Sequence, residues 1–369
     1  MSKKATDIKF DLADKLMHQA IRDNVFPGGV LLVSVKGSIK FFQPYGVANI
    51  FTQAPVTADT IFDLASLTKP LATTLAIMRL VQQDRLDLDQ SLESVLAHFK
   101  STEKETIKIS ELLRHTAGLP DYLPFYIDLN KLPFEKRKEA LKQHLVRLPL
   151  QLPIGGKVLY SDPGYMILGQ LVEDICGQRL DYFLTETVYR PLGLNREIGP
   201  RLCFVDLTDP IRFERIAATE ICPWRQVLIE GVVHDDNAYA VGGIAGHAGL
   251  FGNAEGVYVL IEALLSAFYG RGTDPLFPAD LLQVFLQREN NSSRPLGFDA
   301  PSLQDSSCGK YFSQHSAGHL GFTGTSFWVD LRRDITVILL TNRVHPTRDN
   351  EAIKIFRPKI HDAVMEELL

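Results

Sequence analysis

Apolar positions recur at three- and four-residue steps through residues 11–23 (Leu12, Leu16, Ala20, Ile21), the period of a helix packed along one face. Pro27-Gly28-Gly29 ends that helix, and Val30-Leu31-Leu32-Val33-Ser34-Val35 reads as a buried strand. Lys36-Gly37 turns the chain and Ile39-Lys40-Phe41-Phe42 returns as the partner strand, with Gly46-Val47-Ala48-Asn49 as its continuation or a following turn. Residues 71–83 are apolar on nearly every helical face, the pattern of a helix buried in the middle of a protein. Further helices are predicted over 109–114, 134–145, 164–176 and 180–188, punctuated by Pro120, Pro124, Pro133, Pro149, Pro153, Pro163 and Pro191. A run of small residues from Gly242 to Gly252 precedes a helix over 255–269. Residues 325–330 and 335–340 read as strands around the turn Arg332-Arg333-Asp334, and 351–369 as a closing amphipathic helix.

Strands thus lie at both ends of the chain and helices in its middle. This predicts an α/β fold: an antiparallel sheet built from both termini and flanked by helices, with an all-α lobe inserted. The boundaries are about 1–65 and 240–369 for the α/β lobe and about 66–239 for the helical lobe, the whole 1–369 forming a single catalytic domain. The chain has 369 residues, 45% apolar and 22% charged, which excludes a disordered tail, a collagen and a charge-rich coiled coil. A net charge of −5 argues against nucleic acid as a partner. No stretch of about 18 uncharged apolar residues exists to span a membrane. No apolar segment follows the basic Lys3-Lys4, so the expected location is cytoplasmic, or periplasmic if a leader has been removed. Cys176, Cys203, Cys222 and Cys308 form no C-x-x-C pair and read as separate thiols. Oligomeric state leaves no trace in the sequence.

The sharpest chemical feature is Ala65-Ser66-Leu67-Thr68-Lys69-Pro70. In a helix starting near Ser66, Lys69 stands one turn on and on the same face, within reach of the hydroxyl. Serine is a poor nucleophile near neutrality, and an adjacent base activates it. The tetrapeptide alone carries little weight, because an N-cap serine with a surface lysine has the same form. Tyr160-Ser161-Asp162 follows, then His319-Leu320-Gly321.

These segments resemble the serine β-lactamase-like hydrolases, above all the branch of class C β-lactamases, penicillin-binding proteins and esterases. The family pattern is S-x-x-K, then Y-x-N, then K-T-G or H-x-G on an edge strand. Leu112-Leu113-Arg114-His115-Thr116-Ala117-Gly118-Leu119-Pro120, Gly246-His247-Ala248-Gly249-Leu250-Phe251 and Gly318-His319-Leu320-Gly321-Phe322-Thr323-Gly324-Thr325-Ser326 extend the resemblance over nearly the whole chain. It implies a β-lactamase/transpeptidase-like fold and a serine hydrolase working without a cofactor through an acyl-enzyme. The substrate would be a small-molecule ester, amide or peptide, of esterase or D-amino-acid peptidase type. Ser66 would be the acylated nucleophile, Lys69 would take its proton, and Tyr160 would shuttle protons, its phenolate favoured by a nearby Lys69 ammonium. The backbone amides of Ser66 and Phe322 would form the oxyanion hole, each worth roughly 3 kcal/mol in the transition state. Asp162, His319, Gly321 and Arg343 would contact substrate.

Two departures narrow this reading. His319 stands where β-lactamases mostly carry lysine; a histidine is mainly neutral at pH 7, which implies weak recognition of carboxylate-bearing β-lactams. Asp162 replaces asparagine, and its charge near Lys69 would raise the lysine pKa. Asp162 then points elsewhere, or Tyr160 does more of the base work, or Asp162 binds a donor such as a substrate amine. Two alternatives stand beside the hydrolase: a catalytically silent peptide- or muropeptide-binding protein on the same fold, and a true β-lactamase, which His319 disfavours. His234, Asp235, Asp236 and His247 lack the spacing of a helical zinc site, so no metal is expected. His115, His247 and His345 read as structural. Loops 119–137 and 204–234 would set specificity.

Overall fold

The computed structural model describes residues 9–195, 201–272, 275–288 and 294–369; the basic start of the chain lies outside them. In chain order the strands are β1 (Gly28–Val35), β2 (Ser38–Asn49), β3 (Ala54–Pro55), β4 (Phe62–Asp63), β5 (Leu202–Phe204), β6 (Ile221–Cys222), β7 (Val227–Leu228), β8 (Leu250–Gly252), β9 (Ser316–Leu320), β10 (Ser326–Asp330) and β11 (Ile335–Thr341). The main sheet is ordered β3-β2-β1-β11-β10-β9, so both termini of the chain build it. Its pairs are antiparallel, with Leu31 opposite Leu339 and Val33 opposite Val337.

The unbroken apolar run of β1 follows from burial on both faces. Side chains alternate across a strand. Leu31 and Val33 pack with Val337, Leu339 and Trp328 against the terminal helices Asp11–Arg22 and Ile353–Leu368. Val30 and Leu32 face the other way, into the core with Leu260 and Leu264 of the helix Ala254–Phe268. Glu367 binds the terminal helices together, its carboxylate accepting the amides of Leu12 at 2.7 Å and Ala13 at 3.2 Å.

The middle of the chain is helical, with Thr74–Gln82, Ile109–Leu113, Phe134–Arg147, Asp162–Cys176 and Leu180–Leu184 close to the predicted spans. It also holds β5, β6 and β7, and β5 joins β4 and β8 in a second sheet ordered β4-β8-β5. These strands are two or three residues long and carry no period that sequence could show. Gly46–Asn49 continues β2 rather than turning away. Among the described residues, no helix is long and apolar enough to cross a membrane.

Candidate active site

Ser66 sits where β4 gives way to a helix. Asp63, at the end of β4, accepts the Ala65 amide at 2.8 Å and the His234 amide at 2.7 Å. Ala65 adopts φ +48°, a left-handed conformation costly for a residue with a Cβ. A 3₁₀ turn (Ala65–Leu67) and a π-helical turn (Lys69–Thr73) then lead into Thr74–Gln82. Ser66 lies in the first turn, where backbone amides have no intrahelical partner. Thr68 fastens the turn, donating to the Ala65 carbonyl at 2.6 Å and accepting the Leu250 amide at 3.1 Å.

Lys69 is fully buried. Its Nζ donates to Ser66 Oγ at 3.1 Å and to the His247 carbonyl at 3.1 Å, and it pairs with Asp162 Oδ1 at 2.7 Å. Burial pushes the Lys69 pKa down, but the carboxylate of Asp162 and the phenol of Tyr160 outweigh it, and the net shift is upward. The contact excludes an Asp162 that points elsewhere and puts its charge on Lys69, where the sequence expected it to raise the lysine pKa. The Tyr160 phenol interacts with the side chains of both Lys69 and Ser66, and Lys69 Nζ lies 4.9 Å from its ring centre. Burial and the Asp162 charge together raise the Tyr160 pKa more than Lys69 and Ser66 lower it. Lys69 thus favours the phenolate as expected, but the net direction for Tyr160 is upward.

Tyr160 and Asp162 are positioned by the start of the helix Asp162–Cys176. Ser161 caps it, accepting the Gly164 amide at 3.2 Å and donating to the Pro120 carbonyl at 2.7 Å. The Ser161 amide donates to His115 Nδ1 at 3.0 Å, so the other ring nitrogen of His115 carries the proton. These two contacts join the segment 112–120 to the tyrosine motif.

The edge strand β9 closes the other side. Thr323 donates to the Asp63 carbonyl at 2.7 Å and Thr325 to the Leu64 carbonyl at 3.1 Å, drawing the end of β9 against the Ser66 turn. At Gly321 an added Cβ would stand 2.0 Å from Thr325 Oγ1 and 2.7 Å from the Leu64 carbonyl oxygen, so only glycine permits this approach. Phe322 follows, half-exposed, and among the described residues its amide has no hydrogen-bond acceptor.

A cleft of about 390 Å³ opens over Ser66, lined among others by Tyr160, Asp162, Tyr122, Asp235, Phe322 and Arg348. That size suits a small-molecule site. Ser66, Lys69, Tyr160, Asp162 and the Phe322 backbone therefore converge as sequence reasoning expected. Other expected contacts do not. Arg343 is buried and spent on carbonyls, with Nε on Phe322 at 2.8 Å and one terminal nitrogen on Arg348 at 2.9 Å and Asn350 at 2.8 Å. It braces Phe322 from beneath, its guanidinium 4.5 Å from the ring centre, and does not line the cleft. Arg348 does, and no motif in the sequence separates the two. His319 is buried behind Tyr160 and donates through Nδ1 to the Leu320 carbonyl at 2.9 Å. Burial, Lys69 and Arg294 hold its pKa well below the usual histidine range, so it brings no charge to the site. Gly321 acts through backbone packing rather than contact with the cleft.

The residues considered for metal are otherwise engaged. Asp235 accepts the Ala238 amide at 2.7 Å and pairs with His247 Nε2 at 2.9 Å, while Asp236 pairs with Arg225 at 2.8 Å. His234 stacks on Phe322, ring centres 5.6 Å apart.

Comparison with known proteins agrees with this geometry. The family model described as Beta-lactamase matches residues 13–360. A putative D-alanyl-D-alanine carboxypeptidase of Escherichia coli is 31% identical over 362 residues, covering 90% of this chain and 82% of that protein. An N-acetylmuramyl-L-alanine amidase of Bacillus subtilis is 31% identical over 357 residues, covering 88% and 79%. Among solved structures, EstCE1, a hydrolase with promiscuous acyltransferase activity, superposes with a TM-score of 0.73 at 22% identity, over 96% of this chain and 97% of its own. The chain belongs to the β-lactamase family of serine hydrolases.

Proposed function

We propose that the protein cleaves an ester or amide bond through an acyl-enzyme on Ser66, and that its substrates belong to the D-amino-acid peptides or muropeptides. The observation that carries this is the contact of Lys69 Nζ with Ser66 Oγ at 3.1 Å, with the Tyr160 phenol beside both, at the floor of an open cleft. Ser66 Oγ attacks the carbonyl carbon while its proton leaves through Lys69. The developing oxyanion sits between the amides of Ser66 and Phe322. Tyr160, a phenol at rest, is placed to protonate the leaving group; water then repeats the sequence to release the acid. The D-amino-acid class comes from the relatives named as a D-alanyl-D-alanine carboxypeptidase and a muramyl amidase. The neutral, buried His319 supports the expectation that carboxylate-bearing β-lactams are poor substrates.

Labelling with a fluorophosphonate probe and burst kinetics on p-nitrophenyl acetate test the nucleophile. Both are expected in the wild type and absent from Ser66→Ala. Equal labelling of the two proteins overturns Ser66 as the nucleophile, and a wild type that neither labels nor bursts restores the silent binding protein as the better reading. Mass spectrometry of acyl-Ser66 after exposure to ester, D-peptide and muropeptide libraries identifies the substrate class.

A further inference from the structure

The Lys69 ammonium divides its hydrogens among three acceptors: Asp162 Oδ1 at 2.7 Å, the His247 carbonyl at 3.1 Å and Ser66 Oγ at 3.1 Å. An ammonium so placed cannot accept another proton, yet acylation requires Lys69 to receive one from Ser66. Burial of Lys69 is complete, and burial alone drives an ammonium toward the neutral amine. The anion in direct contact with it is what opposes that tendency. This anion is not sealed: the Asp162 side chain is 16% exposed, it lines the cleft, and its second oxygen accepts no hydrogen bond from the described residues. One carboxylate thus serves both as the counter-ion of the base and as part of the substrate wall.

We infer that Asp162 is a charge-operated latch on Lys69, released by substrates that carry a primary ammonium close to the scissile carbonyl. The inference rests on the acyl-enzyme reading above and names the substrates that site prefers. A substrate ammonium pairs with the open oxygen of Asp162 and takes up part of its charge. Lys69 keeps its burial penalty but loses part of its compensation, and it gives one proton to water in the cleft. The amine then accepts the Ser66 hydroxyl proton as the Oγ–carbon bond forms and the carbonyl electron pair moves to oxygen. When the tetrahedral adduct collapses, the bond to the leaving group breaks, and that proton passes to the leaving group directly or through Tyr160.

The surroundings favour a cationic trigger. Arg348 is paired with Glu220 and Asp236, and Arg225 with Asp236, so these guanidinium groups are already neutralised. Asp121 and Asp235 add carboxylates to the cleft, the latter paired with His247. Arg294 lies across the Tyr160 ring, 6.0 Å from its centre, and is paired with Asp299. His115 and His319 are held neutral by burial, with Arg294 and Lys69 adding to the effect.

The test compares D-alanine p-nitroanilide, with its free amine, against its N-acetyl derivative, in the wild type, Asp162→Asn and Asp162→Glu, between about pH 6 and 9. The wild type is expected to favour the free amine by about tenfold or more in kcat/KM, equivalent to ~1.4 kcal/mol. Asp162→Asn is expected to speed turnover of the N-acetyl substrate near neutrality, move the acid limb of its profile to lower pH and abolish the preference. Asp162→Glu keeps the charge and should keep the preference. Equal turnover of both substrates by the wild type overturns the latch. So does an Asp162→Asn protein that slows on both with its acid limb unmoved. Ser66→Ala separates the two readings: if it is inactive while the amine preference is missing, only the latch fails; if it stays active, the acyl-enzyme reading fails as well.

Discussion

The imidazole of His115 lies against the ring of Tyr160, centroids 4.5 Å apart and planes inclined by 33°. The same histidine accepts the Ser161 amide and holds φ +59°, a conformation that asparagine tolerates better than most residues. Removing it as His115→Ala leaves a buried amide without its acceptor, at a cost of about 1–3 kcal/mol. The ring wall behind Tyr160 also goes, and a displacement of about 1 Å in a reacting group can cost about 100-fold in rate. His115→Asn restores an acceptor and suits the backbone but not the ring packing. The expected outcome is a split: Asn recovers most of the stability in urea unfolding, while kcat on p-nitrophenyl acetate stays low. Recovery of both would show that the ring itself does nothing for Tyr160.

Buried neutral histidines should make the fold acid-sensitive. Burial holds His115 and His319 well below the usual range, lowers His345, and pushes His361 down to about 4. In the unfolded chain each takes up a proton near pH 6.5. Between that value and the lower folded value the unfolded state binds more protons, so stability rises with pH in this window. It is fully present above about pH 6.5 and is lost as pH falls toward 4, each histidine contributing up to about 1.4 kcal/mol per pH unit. Urea unfolding at pH 7 and pH 5 should show the drop. His361→Gln, able to keep a donor toward the Ser307 carbonyl now bonded at 3.0 Å, should reduce the slope by one histidine's share. A flat profile across this interval contradicts the account.

What the sequence made legible follows the physics of pattern. The β1 run is apolar throughout because both faces are buried, and the nucleophile and tyrosine motifs are local arrangements whose spacing persists on the page. The continuation of β2 to Asn49 is ambiguous in sequence because its burial follows no period of two and Gly46 takes a left-handed φ within it. Arg343 and Arg348 stand five residues apart beyond the same strand, and only tertiary packing decides that one turns under Phe322 and the other faces the cleft. The net direction at Tyr160 is hidden for a related reason: a motif shows the neighbouring cation but not the depth of burial that outweighs it.

The pair of Arg348 and Glu220 holds the loop of residues 204–234 against the segment after β11. Nε of Arg348 donates to Glu220 Oε2 at 2.7 Å and a terminal nitrogen engages the other oxygen, while Glu220 is almost wholly buried. Burial pushes the Glu220 carboxyl up, yet Arg348 and His234 bring it down to about 2. Arg348→Ala strands a buried carboxylate and should cost about 3–5 kcal/mol. The double variant Arg348→Met, Glu220→Gln removes both charges and should be milder than Arg348→Ala alone. Equal losses in guanidinium unfolding would mean that the charge left behind carries no penalty. Because Arg348 also lines the cleft, KM should rise in both variants.

The last prediction isolates the backbone role of residues 321 and 322. Phe322 exposes 49% of its surface, and the proposed chemistry uses only its amide. Phe322→Ala should therefore leave the acylation burst within a few-fold of wild type, its main effect falling on KM for bulky acyl groups. Gly321→Ala differs in kind. Its new Cβ meets the Leu64 carbonyl oxygen at 2.7 Å, and this backbone atom belongs to the segment that carries Ser66. Relief of the clash must separate the end of β9 from the Ser66 turn and pull the Phe322 amide away from the oxyanion. Loss of one such donor costs about 100- to 1000-fold in kcat. Gly321→Ala should thus lose kcat by that order while KM and the far-ultraviolet circular dichroism stay near wild type. A Gly321→Ala enzyme with unchanged kcat would remove Phe322 from the oxyanion hole.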